Sequence, residues 1–136
     1  MHELALAEAV IATALDAAER QGFSRLTRIR VAVGQLQNIE RETFEFALKE
    51  VLPATESRIA GAEIIVESEP ARFRCRPCGR EFRWGSDASP GSEDASEAIH
   101  FIPELAHAYL HCPECHSPDF EVLEGRGVSI AALEGA

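Results

Sequence analysis

Apolar side chains recur every three or four positions in two segments of the chain, and this spacing predicts two helices. The first helix is predicted over residues 4–21, and its apolar stripe consists of Leu4, Ala7, Ile11, Ala14, Leu15 and Ala18. Gly22 follows as a stop signal, because glycine readily adopts the left-handed conformation that ends many helices. The second helix is predicted over about 40–52 before Pro53, and its apolar residues are Phe44, Ala47, Leu48, Val51 and Leu52.

Three other segments alternate between apolar and polar positions, as strands with one buried face do. The first runs from Thr27 to Val33 and ends at Gly34, with Ile29, Val31 and Val33 on one face and Arg28, Arg30 and Ala32 on the other. The second covers residues 62–69 before Pro70, and the third runs from Gly127 to Ala132 with Val128, Ile130 and Ala132 on one face. This pattern predicts an α+β fold in which two helices pack on a three-stranded mixed sheet.

The segment between the second and third strands differs in composition from the rest of the chain. Residues 71–120 contain all four cysteines, four of the five histidines, and the only tryptophan and tyrosine. We therefore expect two domains: an α+β domain formed by residues 1–70 plus 121–136, and an inserted domain formed by residues 71–120. Within the insertion, residues 85–98 are small, polar and acidic, which predicts a flexible surface loop.

The cysteines form two Cys-x-x-Cys motifs, Cys75 to Cys78 and Cys112 to Cys115, with 33 residues between them. Each motif places two thiolates on one edge of a tetrahedron, so the pair predicts a structural zinc ion in a zinc-ribbon-like domain. The alternative is two disulfides or reactive thiols, which a reducing cytosol disfavours for paired motifs. Aromatic residues beside the motifs are expected to cover the small core: Phe73, Phe82 and Trp84.

A zinc ion held by four thiolates has no open coordination position and does not activate water. The chain also lacks a His-Glu-x-x-His motif, so a zinc hydrolase is disfavoured. His111 and His116 flank the second motif and are interpreted as exposed loop residues. The alternative is that one of them competes as a zinc ligand or tunes the site with pH, because histidine titrates near neutrality.

His2 directly follows the first methionine, and this position permits chelation of a second kind of metal. The α-amine, the neighbouring backbone nitrogens and the imidazole are donors that suit square-planar Ni²⁺ or Cu²⁺. The first N–H groups of a helix have no intrahelical partner, so the amides of His2 and Glu3 are available to a metal. His100 or His107 is a candidate for a further donor. The alternative is that His2 is a solvated terminal residue and Glu3 a favourable charge in the first helical turn.

The charge balance restricts the classes of partner. Lysine plus arginine number 13 and aspartate plus glutamate 23, which gives a formal net charge of −10. A general nucleic-acid or anionic-membrane binder needs a basic face, so both classes are disfavoured. No apolar run reaches the roughly 18 residues of a membrane span, and no basic segment opens the chain, so we expect a cytoplasmic protein.

Several of these features together resemble the HypA/HybF family. They are Met1-His2-Glu3 opening a helix, a strand ending in Gly34-Gln-Leu, the motifs Cys-x-x-Cys and Cys-Pro-x-Cys, and Gly127-Val-Ser-Ile near the end. The resemblance implies a nickel metallochaperone for maturation of [NiFe]-hydrogenase, a carrier and not an enzyme. It also implies a nickel-binding α+β domain beside a four-cysteine zinc domain, with a HypB-like GTPase and the hydrogenase large-subunit precursor as partners.

The resemblance also implies a set of nickel ligands. His2 is the primary imidazole ligand, joined by the backbone nitrogens of His2 and Glu3, while Met1 supplies the chain start and its amine. The segment from Ile99 to Glu104 looks like the longer insert common in archaeal members, in which a histidine, here His100, joins the nickel site. Some relatives also serve urease. The alternative to this function is a zinc-ribbon interaction module that transports no metal.

Two features depart from the family pattern. His116 follows the second cysteine motif where many members have glycine, so the turn geometry and the protonation of the zinc site are expected to differ there. Residues 85–98 have no recognised counterpart in the family.

Overall fold

The computed structural model of the chain describes residues 2–37, 39–85, 87–88 and 93–136. Its first half contains helix α1 (His2–Gln21), strand β1 (Leu26–Gly34), helix α2 (Arg41–Phe46), a π-helical segment (Ala47–Val51), a 3₁₀ turn (Ser57–Ile59) and strand β2 (Glu63–Glu69). The second half contains strands β3 (Arg72–Cys75) and β4 (Glu81–Arg83), helix α3 (Glu93–Phe101), a 3₁₀ turn (Pro103–Leu105), helix α4 (Ala106–Tyr109), and strands β5 (Phe120–Glu124) and β6 (Val128–Gly135).

The described chain divides into two compact units. The first unit consists of Met1–Ala32, Ile39–Glu67 and Val128–Ala136, and the second of Val33–Asn38 and Ser68–Gly127. Strand β5 belongs to the second unit, whereas the sequence pattern assigned residues 121–136 to the α+β domain. The reason is that β5 pairs along its length with β3, with Phe73 opposite Val122 and Cys75 opposite Phe120.

Helix α1 ends as its sequence predicts. Gly22 has φ = 79°, which an L-residue adopts only with strain. The N–H of Gly22 donates to the carbonyl of Glu19, and that of Phe23 donates to the carbonyl of Ala18. These two bonds form a Schellman motif and satisfy carbonyls that the helix itself leaves without partners.

The apolar stripe of α1 starts one turn later than predicted. The buried residues of the helix are Ala7, Val10, Ile11, Ala14, Leu15 and Ala18. Leu4 is 43% exposed, whereas Val10, which the predicted stripe left out, is buried. Leu4 and Val10 both fit the spacing of one helix face, so the spacing alone does not decide which of them is buried. Their burial depends on how far along the helix the residues that pack against it extend.

The second predicted helix changes its winding midway. The N–H of Leu52 donates to the carbonyl of Ala47, five residues back, which marks a π-helical turn. Phe44, Ala47 and Leu48 are buried as predicted, but Val51 is 39% exposed. The wider turn rotates Val51 away from the apolar face that regular α-helical spacing had assigned to it.

The three strands of the first sheet lie in the order β2-β1-β6, and the sheet is mixed. Arg25 and Ala136 exchange backbone hydrogen bonds beside the start of β1, so β1 and β6 run antiparallel. Arg28 pairs with Glu63 and Arg30 with Glu67, which gives β1 and β2 the same direction. Ala32, predicted on the exposed face, is 8% exposed because β1 is the central strand and its last four residues are all buried.

The predicted flexible loop 85–98 is wrong in its second half, because helix α3 starts at Glu93. Ala95 and Ile99, four residues apart, are both buried, and Glu93 and Asp94 place negative charge in the first turn, where the helix dipole favours it. The acidic composition of this segment reflects the exposed face of an amphipathic helix. Positions 86 and 89–92 of the predicted loop lie outside the described residues.

The second unit has a core of three phenylalanines from three strands. Phe73 of β3, Phe82 of β4 and Phe120 of β5 are at most 1% exposed, and their ring centroids lie 4.9–5.4 Å apart. Such tilted and edge-to-face contacts add to the stabilisation from apolar burial. The buried thiol residues Cys75 and Cys112 belong to the same cluster, so this core lies directly beneath the cysteines.

Candidate metal sites

The four cysteine sulfurs lie together in the second unit. Their Sγ atoms are all within 4.8 Å of one another. The Sγ atoms of Cys75 and Cys115 are 3.4 Å apart, and those of Cys78 and Cys112 are 3.6 Å apart. Zinc–sulfur bonds of about 2.3 Å in a tetrahedron require sulfur–sulfur edges of about 3.8 Å. The donor set therefore fits a structural zinc ion.

The two cysteine motifs are held by matching backbone turns. In the first, the N–H of Gly79 donates to the carbonyl of Cys75 over 2.8 Å, and in the second, the N–H of His116 donates to the carbonyl of Cys112 over 2.9 Å. Gly79 has φ = 78° and His116 has φ = 63°. The expectation that His116 changes the turn geometry is therefore wrong: the histidine adopts the left-handed conformation that glycine adopts in the other motif.

Burial raises the pKa of the cysteine thiols, whereas hydrogen bonds from backbone N–H groups lower it. Burial raises the pKa of the Cys75 thiol to about 12. Burial also acts on Cys112, but the backbone N–H groups of Cys115 and Glu114 hold the pKa of that thiol at about 7. Four thiolates in so small a space repel one another, and a divalent cation is what allows all of them to be ionised together.

Ion pairs connect the chain segments that contain the two motifs. Arg76 in the first motif donates to the carboxylate of Asp119 over 2.8 Å and to the carbonyl of Phe120 over 3.1 Å. Arg80 donates to the carboxylate of Glu114 in the second motif over 2.7 Å. These side chains are about half exposed, so each pair adds little stability. Their effect is to align two segments that are distant in sequence.

The histidines near the second motif do not belong to the sulfur cluster. In the described part of the chain, the group able to hold a metal consists of the four cysteines, without His111 or His116. Both histidines are exposed. His107 is fixed elsewhere, because its Nδ1 lies 3.1 Å from the carbonyl oxygen of Pro118 and its ring packs on Phe120 with centroids 4.3 Å apart.

The predicted nickel ligands at the chain start fall in the first turn of α1. His2 is exposed there, and Glu3 is half-buried. The carboxylate of Glu3 accepts a hydrogen bond of 3.0 Å from the backbone N–H of Glu40, which precedes helix α2. The side chain of Glu3 therefore ties the start of one helix to the start of another. Met1 lies outside the described residues.

His100, the further predicted nickel ligand, lies near the end of helix α3 in the second unit. Its ring stacks on the indole of Trp84, with centroids 5.4 Å apart and an angle of 20° between the ring planes. From sequence, Trp84 was interpreted only as a cover for the core. The only sequence feature that points to a further role is that Trp84 is the single tryptophan of the chain. The spacing between residues 84 and 100 does not indicate that their rings are in contact.

A family model described as "Hydrogenase/urease nickel incorporation, metallochaperone, hypA" matches residues 1–135. The chain is 48% identical to the hydrogenase maturation factor HypA of Pyrococcus abyssi, over 98% of this chain and 95% of that protein. It is 47% identical to the factor of the same name from Thermococcus onnurineus, with the same coverage. These matches extend over both units and include both cysteine motifs.

Solved structures show the same fold. The solution structure of the Ni metallochaperone HypA from Helicobacter pylori superposes with a TM-score of 0.65 at 20% identity, over 99% of this chain and 97% of that one. A second solution structure of a HypA protein gives a TM-score of 0.63 at 19% identity. In the described residues, no helix has the length and apolar character needed to span a bilayer.

Proposed function

This chain belongs to the HypA family of nickel incorporation metallochaperones for hydrogenase maturation, and we propose that it binds Ni(II) through its N-terminal residues. The ligands we propose are the imidazole of His2, the backbone nitrogens of His2 and Glu3, and the amine of Met1 at the chain start. His100 supplies a further imidazole. The bound ion is a cargo that the protein receives and passes on.

The observation that carries this proposal is that the first turn of α1 is exposed at His2 and has backbone N–H groups without a partner in the helix. A metal can take these nitrogens without breaking a helical hydrogen bond. The carboxylate of Glu3 already accepts from Glu40, which supports the backbone nitrogen of Glu3, and not its carboxylate, as the ligand atom.

The contacts of the two candidate histidines favour His100 over His107 as the further imidazole. The ring of His107 contacts a backbone carbonyl through Nδ1 and packs on a buried phenylalanine. Coordination through Nδ1 would break that contact. Among the residues that the structure describes, none hydrogen-bonds to a ring nitrogen of His100, so this imidazole can accept a metal without losing a partner.

A planar set of nitrogen donors suits low-spin Ni(II) and Cu(II) alike, and affinity alone would favour copper. Which of the two ions the protein carries therefore also depends on which one is supplied to it. Each backbone amide that becomes a ligand releases one proton to solvent, so nickel binding is expected to strengthen as the pH rises. A site at an exposed helix start exchanges its ion readily, as a carrier requires.

The zinc ion has a structural part in this proposal. Cys75, Cys78, Cys112 and Cys115 would hold it, and it would supply folding free energy to the second unit. Because four thiolates fill the coordination sphere, we propose that the protein is a carrier and not an enzyme. The metal-bound unit would keep His100 in place and present a surface to partner proteins.

The partners we propose are a HypB-like GTPase and the precursor of the [NiFe]-hydrogenase large subunit. The net charge of −10 supports protein partners with basic patches over nucleic acid or anionic membranes. We place the protein in the cytoplasm, where its thiols stay reduced and available to zinc. Urease is the alternative client.

A nickel titration of untagged, zinc-loaded protein tests the proposal. His2→Ala and a two-residue extension before Met1 are each expected to weaken nickel binding by at least about tenfold, since each removes a donor of the chelate. His111→Ala is the matched control, because it removes an exposed imidazole that the proposal does not use. Wild-type affinity in both His2→Ala and the extended protein would overturn the proposal.

A further inference from the structure

The rings of Trp84 and His100 form a face-to-face contact within the second unit. Their centroids are 5.4 Å apart and their planes differ by 20°. The two residues are 16 positions apart in sequence and come from different elements, since Trp84 directly follows β4 and His100 lies in α3. A stacked contact of this kind restricts the tilt of both rings.

Trp84 is fixed from several sides. Its indole packs against the core cluster that contains Phe73, Phe82 and Phe120. Its backbone forms a bridge with Ala88, and the N–H of Gly85 donates to the carbonyl of Ala88 over 2.5 Å. Trp84 therefore offers a rigid aromatic surface that the core and a tight turn hold in position.

His100 meets that surface with one face of its ring. Its neighbour Ile99 is 0% exposed and anchors α3 in the core, which sets the direction of the His100 side chain. Within the described ranges, neither ring nitrogen of His100 has a hydrogen-bond partner. The lone pair of an imidazole nitrogen lies in the ring plane, so stacking on one face leaves metal coordination at the edge open.

We propose that Trp84 is the positioning residue for His100: its indole stacks on the imidazole, fixes the ring plane, and leaves the ring edge open to Ni(II). This inference rests on the proposed function, because it assumes that His100 is a nickel ligand. A ring held in one orientation before binding loses less conformational freedom when the metal arrives, and affinity rises accordingly. Trp84 itself does not contact the metal.

The first test uses the wild-type protein and its single tryptophan. Ni(II) at His100 lies close to the stacked indole and is expected to quench Trp84 fluorescence in parallel with site occupancy. In His100→Ala the quenching at equal occupancy should fall. Saturation of the site with nickel without any change in Trp84 emission would overturn the inference.

The second test compares Trp84→Leu with Trp84→Phe. Leucine removes the aromatic surface and is expected to weaken nickel binding by roughly threefold to tenfold, whereas phenylalanine restores a ring and most of the affinity. Bound zinc, measured in each variant, reports whether the second unit is intact. Equal nickel affinity in wild-type, Trp84→Leu and Trp84→Phe proteins, with zinc retained, would overturn the inference.

A third readout needs no nickel. The indole ring current should shift the His100 ring protons upfield in the zinc-loaded protein, and Trp84→Leu should abolish the shift. His2→Ala separates the two levels of the argument. Loss of nickel binding in His2→Ala without any effect of Trp84→Leu overturns the role of Trp84 alone, whereas wild-type binding in both His2→Ala and the extended protein overturns the proposed function.

Discussion

Gly79 and His116 occupy the same place in the two cysteine motifs and share one backbone conformation, with φ = 78° and φ = 63°. Each follows the second cysteine of its motif, and each donates its N–H to the carbonyl of the first. The motif geometry therefore requires a residue in the left-handed conformation at this place. The first motif has a glycine there and the second has a histidine. An L-residue in this conformation costs roughly 1–2 kcal/mol.

His116→Gly is expected to stabilise the zinc-loaded protein by up to about 1 kcal/mol, because relief of the backbone strain exceeds the added freedom of the unfolded chain. Denaturant unfolding at a fixed free zinc concentration measures the change. Gly79→Ala is the matched control and should destabilise, since a Cβ at Gly79 meets no atom within 4 Å and only the conformation is affected. A His116→Gly protein less stable than wild type would contradict this account.

Phe120→Ala is expected to destabilise the second unit by about 3–5 kcal/mol. Phe120 is 0% exposed and contacts both other core phenylalanines, so truncation leaves a cavity beneath the cysteines. Phe101→Ala is the control, because Phe101 is 74% exposed and its loss should change the unfolding free energy by less than about 0.5 kcal/mol. Similar effects of the two substitutions would show that the phenylalanine cluster is not the core of this unit.

The two parts of Glu3 are expected to have separate roles, which two substitutions distinguish. Glu3→Gln keeps a side-chain acceptor for the N–H of Glu40, so nickel affinity should stay near that of wild type. Glu3→Ala removes the acceptor, loosens the first turn of α1, and should weaken nickel binding by roughly threefold to tenfold. Calorimetric nickel titration checks both. A loss in Glu3→Gln as large as that in Glu3→Ala would indicate that the carboxylate itself binds the metal.

Cys112→Ser is expected to lower zinc affinity and, through His100, nickel affinity as well. Cys112 is 0% exposed in the core cluster that also contains Ile99, the neighbour of His100. Loss of zinc would loosen that core, and nickel affinity should fall to the level of His100→Ala. Nickel affinity equal to wild type in a Cys112→Ser protein that has lost its zinc would contradict coupling between the two metals.

Features set by local geometry could be predicted from the sequence. The α1 stripe, the Gly22 stop and the mixed three-stranded sheet follow from apolar spacing and from where glycine and proline fall. The gathering of four cysteine sulfurs follows from the motif spacing, because each motif forms a turn of fixed shape.

Features set by tertiary packing could not be predicted in this way. The π-helical turn at Ala47 shifts Val51 off the apolar face. No pattern of residues in this segment predicts the wider turn. The acidic composition of helix α3 led to the prediction of a loop, although Ala95 and Ile99 have the four-residue spacing of a helix face. The Trp84–His100 contact depends on where two separate elements come to lie, which a single sequence does not specify.

The ligand atoms of nickel and zinc can be identified together in one experiment. X-ray absorption spectra at the nickel and zinc edges of the doubly loaded protein measure both coordination shells in one sample. We expect a nickel shell of nitrogen donors that include imidazole, lost in His2→Ala, and a zinc shell of four sulfurs at about 2.3 Å. A nickel shell built of sulfur, unchanged in His2→Ala, would contradict it.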